Sequence, residues 1–156
     1  MRADDATAAD RVRELTERVV KALGVEAEIF VEEDEERVRV ELRGEDLGLL
    51  IGRHGQTIDA VQHLAYRVAF RGGDPRKRVE VDAAGYRERR AATLHHDADR
   101  AADDAERLER PVELEPMSAA ERRLVHEYLR ERGGVETYSE GDEPHRRLVV
   151  SPHASP

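Results

Sequence analysis

Two glycines separated by two residues, Gly52-Arg53-His54-Gly55, divide a stretch that otherwise carries helical apolar spacing. Leu47-Gly48-Leu49-Leu50-Ile51 runs up to the pair, and an amphipathic run from Gln56 to Phe70 follows it. The arrangement predicts two helices joined by a four-residue turn, since glycine reaches positive φ freely and brings no Cβ to hold another chain away. The second helix would start at the turn, where a helix N-terminus offers unpaired N–H groups and a positive dipole end to a phosphate. A nucleic-acid backbone fits such a turn. Glycine pairs in turns are common, however, and the plain alternative is an ordinary helix connection.

The flanking sequence gives the turn a setting. Val12, Leu15, Val19 and Leu23 recur at helical spacing over residues 10–23, with Asp10 the expected N-cap and Gly24 the stop. Residues 26–33 and 37–42 alternate as strands do, and the acidic run Glu32 to Glu36 is the expected hairpin turn. A short helix from Asp46 to Ile51 precedes the glycine turn. The helix after it has the apolar stripe Ile58, Val61, Ala65 and Val68, and Val79 and Val81 mark a further strand. The order is helix, strand, strand, helix, helix, strand.

Residues 85–110 predict a long helix rich in Ala, Arg, Asp and Glu, closed by Pro111. Its apolar stripe is thin (Tyr86, Leu94, Leu108), so it either leans on a second module or frays as a linker. Val112 and Leu114 suggest a strand. Ser118 to Glu121 fits a capping box opening a helix to about Arg132, which Gly133-Gly134 ends. Two strands follow, around Val135 to Ser139 and Arg146 to Ser151, joined by Glu140-Gly141-Asp142-Glu143-Pro144, with Pro152 to Pro156 expected as a disordered tail. The fold class is therefore α+β in two small domains.

Charge narrows the function. A net charge of −9 argues against indiscriminate binding of polyanions, whose non-specific affinity comes largely from phosphate neutralisation. The acidity is uneven: residues 1–43 hold 13 acids against 8 bases, residues 44–83 hold 6 against 6. Arg71, Arg76, Lys77 and Arg78 cluster beyond the second helix with only Asp74 opposing them, either edging a groove with positive charge or simply solvating a strand end. Cysteine is absent, which excludes disulfides and thiolate metal sites. No apolar run approaches the roughly 18 residues of a membrane span, and Met1 to Asp5 lacks a signal-peptide layout, so a cytoplasmic location is expected.

Residues Gly44 to Phe70 (GEDLGLLIGRHGQTIDAVQHLAYRVAF) resemble the K-homology (KH) domain of the bacterial Jag family, also called KhpB or EloR. Met117 to His126, Glu136 to Gly141 and Arg146 to Val150 look like that family's second module, named for an Arg and a His with three residues between them, here Arg122 and His126. The resemblance covers most of residues 11–151 in the family's order. It implies a type II KH domain over residues 8–83 and an Arg-xxx-His domain over 84–151 that includes the linking helix. It further implies a single-stranded RNA-binding protein without cofactor, acting as a post-transcriptional regulator or RNA chaperone linked to cell elongation and division. A small KH-domain protein or a second copy of the chain would be its protein partner. Many members carry an N-terminal Jag domain that has no counterpart here, His54 stands where a second permanent cation is often found, and the linking helix is unusually acidic.

The expected RNA-binding residues fall in two groups. Ile51, Gly52, Arg53, His54, Gly55 and Gln56 form the turn, with Arg76 and Lys77 on its flank. Arg122, His126 and Arg130 lie four apart on one helix face, and Arg147 would join them from the closing strand, where Arg146 and Arg147 point to opposite faces. The alternative at this face is that His126 packs beneath the strands and Arg122 pairs with a nearby carboxylate. His95 and Asp99 share a helix face and are metal-ligand types, but no second ligand set stands at motif spacing. No serine lies in a Gly-x-Ser-x-Gly setting, so neither a catalytic nor a metal site is expected. The rival to RNA binding is an acidic KH-type adaptor that docks a partner protein and touches RNA weakly or not at all.

Overall fold

The computed structural model describes residues 6–71 and 77–154, and their contacts separate the chain into two units, Met1–Arg87 and Glu88–Pro156. In the first, α1 (Ala8–Leu23) leads into the hairpin β1 (Glu28–Glu33) and β2 (Arg37–Arg43). Then come the single-turn helix α2 (Gly48–Ile51), a 3₁₀ turn (Arg53–Gly55), α3 (Gln56–Ala69) and β3 (Arg78–Ala83). The sheet order is β1-β2-β3. β1 pairs antiparallel with β2, Val31 opposite Val40, whereas β3 runs parallel to β2, Val40 opposite Val81. A parallel pair needs a crossover, and α2 and α3 supply it.

Alternation puts Val38, Val40, Leu42, Val79, Val81 and Ala83 on one buried face, where they join Val12, Val20, Leu50, Ile58, Val61 and Ala65 in one core. The cap of α1 differs from expectation. Thr7 is the N-cap and Asp10 is the third helical residue: the Thr7 hydroxyl accepts from the Asp10 N–H while the Asp10 carboxylate accepts from the Thr7 N–H at 3.0 Å. Gly24 ends the helix in the left-handed region, as its position predicts. On α3, Ala69 closes the buried stripe and Val68 is only half-buried, because four residues beyond Ala65 lies nearer the core-facing line than three.

The long helix α4 (Tyr86–Leu108) starts with Tyr86 and Arg87 in the first unit, where the Arg87 guanidinium donates to the Val81 carbonyl, Asp59 and Gln62. Its remainder belongs to the second unit with β4 (Val112–Glu113), α5 (Ala119–Arg132), β5 (Val135–Glu140) and β6 (Arg147–Pro152). That sheet has the order β4-β6-β5, antiparallel throughout. The predicted capping box is present at Ser118 and Glu121. Leu108 does not serve the stripe of α4, being 40% exposed; Leu94, Ala98, Ala101, Ala102 and Ala105 make the buried face against Val125, Leu129, Leu148 and Val150. Pro152, expected in the tail, closes β6, and residues 155–156 lie outside the described residues.

Candidate nucleic-acid interface

Buried Leu50 anchors α2 in the core of the first unit, so the glycine turn emerges from a fixed base. Gly52 has φ 73° and ψ 178°, a region closed to side chains, and a Cβ there would stand 2.9 Å from the Thr57 backbone nitrogen. Gly55 is left-handed at φ 78°, and a Cβ would stand 2.6 Å from Cε1 of Tyr86. Between them His54 also takes the left-handed conformation, at φ 53°, which is uncommon for a residue with a side chain. Arg53 and His54 are thereby turned outward and exposed. Among the described residues neither has an ion pair, and α3 begins without a side-chain cap on its N–H groups. Gln56 is exposed at the start of α3 and Ile51 is half-buried at the end of α2.

The basic flank is described only in part. Lys77 pairs with Glu33 at 2.9 Å, so its charge is locally neutralised, and Arg76 lies outside the described residues. A groove of about 700 Å³ at one end of the same unit is lined by Val25, Ala27 and the 66%-exposed Leu49, together with four carboxylates, Glu26, Glu28, Glu45 and Asp46, and one cation, Arg43. Its character is acidic and apolar.

In the second unit a recess of about 480 Å³ lies between α5 and β5, lined by Arg122, Arg123, His126, Thr137, Ser139 and Arg146 among others. Two of the four expected residues, Arg122 and Arg147, take positions other than those expected here. Arg122 is only 7% exposed: its guanidinium donates to the Met117 carbonyl at 2.7 Å and to the Arg146 carbonyl at 3.5 Å, and pairs with Glu143 at 2.5 Å. His126 is exposed beside it, its Nδ1 in close contact with the Thr137 hydroxyl, and Arg130 is exposed one turn further on. Arg147, expected on this face, instead pairs with Glu113 at 2.9 Å, and the neighbouring Arg146 takes the place in the recess. Spacing alone could not tell Arg146 from Arg147, because strand alternation assigns opposite faces without saying which face meets α5.

Tyr86, the residue that packs under the turn, is not signalled as a site residue by the sequence, which marks it only as part of the thin apolar stripe at the head of α4. His95 and Asp99 are engaged within the second unit. His95 stacks on Tyr128 with ring centroids 4.1 Å apart, and the Tyr128 hydroxyl donates to Asp99, which holds that hydroxyl's pKa above its ordinary value. Among the described residues no helix is long and apolar enough to cross a membrane.

A helix–strand–strand–helix–helix–strand unit with its glycine turn, followed by a helix-and-sheet unit with Arg and His four apart, defines a protein with a KH domain and an Arg-xxx-His domain in tandem. Residues 9–81 match the family described as KhpA/KhpB, KH domain, and residues 92–152 match the family of the Arg-xxx-His domain. The chain belongs to the KhpB family. It is 40% identical over 147 residues to the RNA-binding protein KhpB of Clostridium symbiosum, covering 93% of this chain and 66% of that protein. It is 41% identical over 133 residues to the RNA-binding protein KhpB of Lactiplantibacillus plantarum, covering 85% of this chain and 41% of that protein. The protein of the same name from Bacillus subtilis is 34% identical over 135 residues, covering 85% of this chain and 65% of that protein. The chain thus spans less than two thirds of the length of these relatives.

Proposed function

We propose that this chain binds single-stranded RNA, without catalysing a reaction, through the Arg53–His54 turn of the first unit and the α5 recess of the second. The observation that carries the reading is the turn: two glycines that cannot hold a Cβ, two outward side chains without ion pairs among the described residues, and a helix start without a side-chain cap. Backbone N–H groups at the start of α3 would take a phosphate and Arg53 would add a charge-assisted contact. The names of the relatives support RNA as the ligand. By family resemblance the chain would act after transcription in the cytoplasm, as a regulator or RNA chaperone linked to cell elongation and division, beside a small KH protein or a second copy of itself.

The test is a titration of labelled RNA and DNA of the same sequence over a range of salt. A KH turn clamps about four nucleotides and each phosphate on a single strand contributes a slope of about −0.7, so the turn alone gives about −2 to −3 in log K against log salt. The recess steepens it for longer strands. RNA is expected to bind more tightly than DNA through its 2′-hydroxyls, and a slope near zero would contradict the phosphate clamp.

The acidic groove around Leu49 favours one second reading, an adaptor that docks a basic partner protein. An absence of saturable RNA binding at about 0.1 M salt, where the screening length is about 10 Å and close contacts survive, would decide for it.

A further inference from the structure

We infer that in the second unit the phosphate of a bound strand is taken by Arg146, a residue outside the Arg-xxx-His signature, and that Arg122 of the signature is the internal brace that positions it. The inference rests on the RNA-binding reading of the α5 recess and assigns the roles within it.

The two guanidinium groups meet the recess in opposite conditions. Arg122 is buried, and its hydrogen bonds to the Met117 and Arg146 carbonyls and its ion pair with Glu143 use three of its five N–H groups and neutralise its charge. A phosphate approaching it would have to displace Glu143 and then meet an almost inaccessible side chain. Arg146 is half-buried, its Nη1 donates to the Gly141 carbonyl at 2.7 Å and its Nη2 to the Ser139 carbonyl at 3.5 Å, and among the described residues no carboxylate pairs with it. Two neutral carbonyls therefore hold the guanidinium in place while leaving its full charge and three N–H groups available. That is a preorganised anion contact. The other cation of the recess, Arg123, is shared with Glu127 at 3.0 Å.

The link between the two arginines is direct. Arg122 bonds the main-chain carbonyl of Arg146 and, through Glu143, the loop that leads into β6. It fixes the start of β6 and hence the origin of the Arg146 side chain, beside His126 and Thr137. Arg122 is thus a positioning residue, and Arg146 the one that would touch the strand.

The salt dependence of binding separates these roles, because its slope counts neutralised phosphates, whereas thermal melting reads the brace. In the full chain with a labelled single-stranded RNA of about 16 nucleotides, long enough for several contacts, Arg146→Gln is expected to melt like the unaltered protein and to lose about 0.7 from the slope. Arg146→Lys, which keeps the charge, is expected to keep the slope. Arg122→Gln is expected to lower the melting temperature of the second unit by about 4 °C or more. If Arg146→Gln keeps the slope and affinity of the unaltered chain, or if Arg122→Gln melts normally yet loses about 0.7 of slope, the assignment is overturned while RNA binding stands. Absence of RNA binding by the unaltered chain overturns both.

Discussion

Gly55 excludes a side chain for two separate reasons, and they predict different things. Its left-handed φ penalises any L-residue, and the Tyr86 ring fills the place a Cβ would take. Gly55→Ala is expected to destabilise the first unit by about 1–3 kcal/mol in denaturant melts. Part of that loss belongs to the ring, so Gly55→Ala combined with Tyr86→Ala is expected to cost less than the sum of the two single changes, by about 0.5 kcal/mol or more. Strict additivity would show that the strain is all in the backbone. At this scale the sequence is legible where the cause is local. Gly52 and Gly55 announce a turn by being glycine, but Tyr86 lies far along the chain and no spacing rule connects it to them. The same limit applies to Arg122, whose helical spacing to His126 is readable while the closure of Glu143 and the Arg146 carbonyl over it is not.

Helix α1 carries its own acid sensitivity. The hydrogen bonds from the Thr7 backbone and side chain hold the Asp10 carboxyl below the ordinary carboxylate range. A folded-state pKa below the unfolded one contributes stability that is full above the unfolded value and is lost as pH falls through the folded value. Asp10→Asn is therefore expected to flatten the decline of stability as pH falls below about 4 and to leave the shape of the curve near neutrality unchanged; an unaltered acid limb would show that Asp10 does not carry the effect. Helix α4 shows a different dependence, on size. Ala98, Ala101, Ala102 and Ala105 let the helix lie close against the second core, so Ala102→Leu is expected to cost about 1–3 kcal/mol by overpacking, read as a lower denaturant midpoint. The strands and the capping box of α5 are readable because alternation and capping chemistry are local patterns. The α4 stripe is not, since alanine carries little apolar signal and its burial depends on the partner sheet. For the same reason Val68, the larger apolar residue, outweighs Ala69 in a reading of spacing, although the geometry favours Ala69.

For the whole molecule the decisive quantity is a net charge of −9 that opposes any polyanion, so the proposed RNA binding would have to arise from a few local cations held where carboxylates do not pair with them. Among the described residues Arg53 satisfies that condition in the first unit and Arg146 in the second, whereas Lys77, Arg122 and Arg147 are each paired with a carboxylate. Free cations cannot be sorted from paired ones along the chain, because the partners Glu33, Glu143 and Glu113 arrive from other elements. The central claim, that the Gly52–Gly55 turn is the principal RNA contact, is tested most directly by replacing Arg53 and His54 together with Asp and measuring both melting and the affinity for labelled single-stranded RNA. Both side chains face solvent, aspartate tolerates the left-handed region, and a carboxylate suits a helix N-terminus, so stability is expected to change by no more than about 0.5 kcal/mol. The same carboxylates would sit where the phosphate has to bind and repel it, and affinity is expected to fall by at least about tenfold, or about 1.4 kcal/mol. A double variant that melts normally and binds RNA as tightly as the unaltered chain would contradict the claim and reduce the turn to a structural connection.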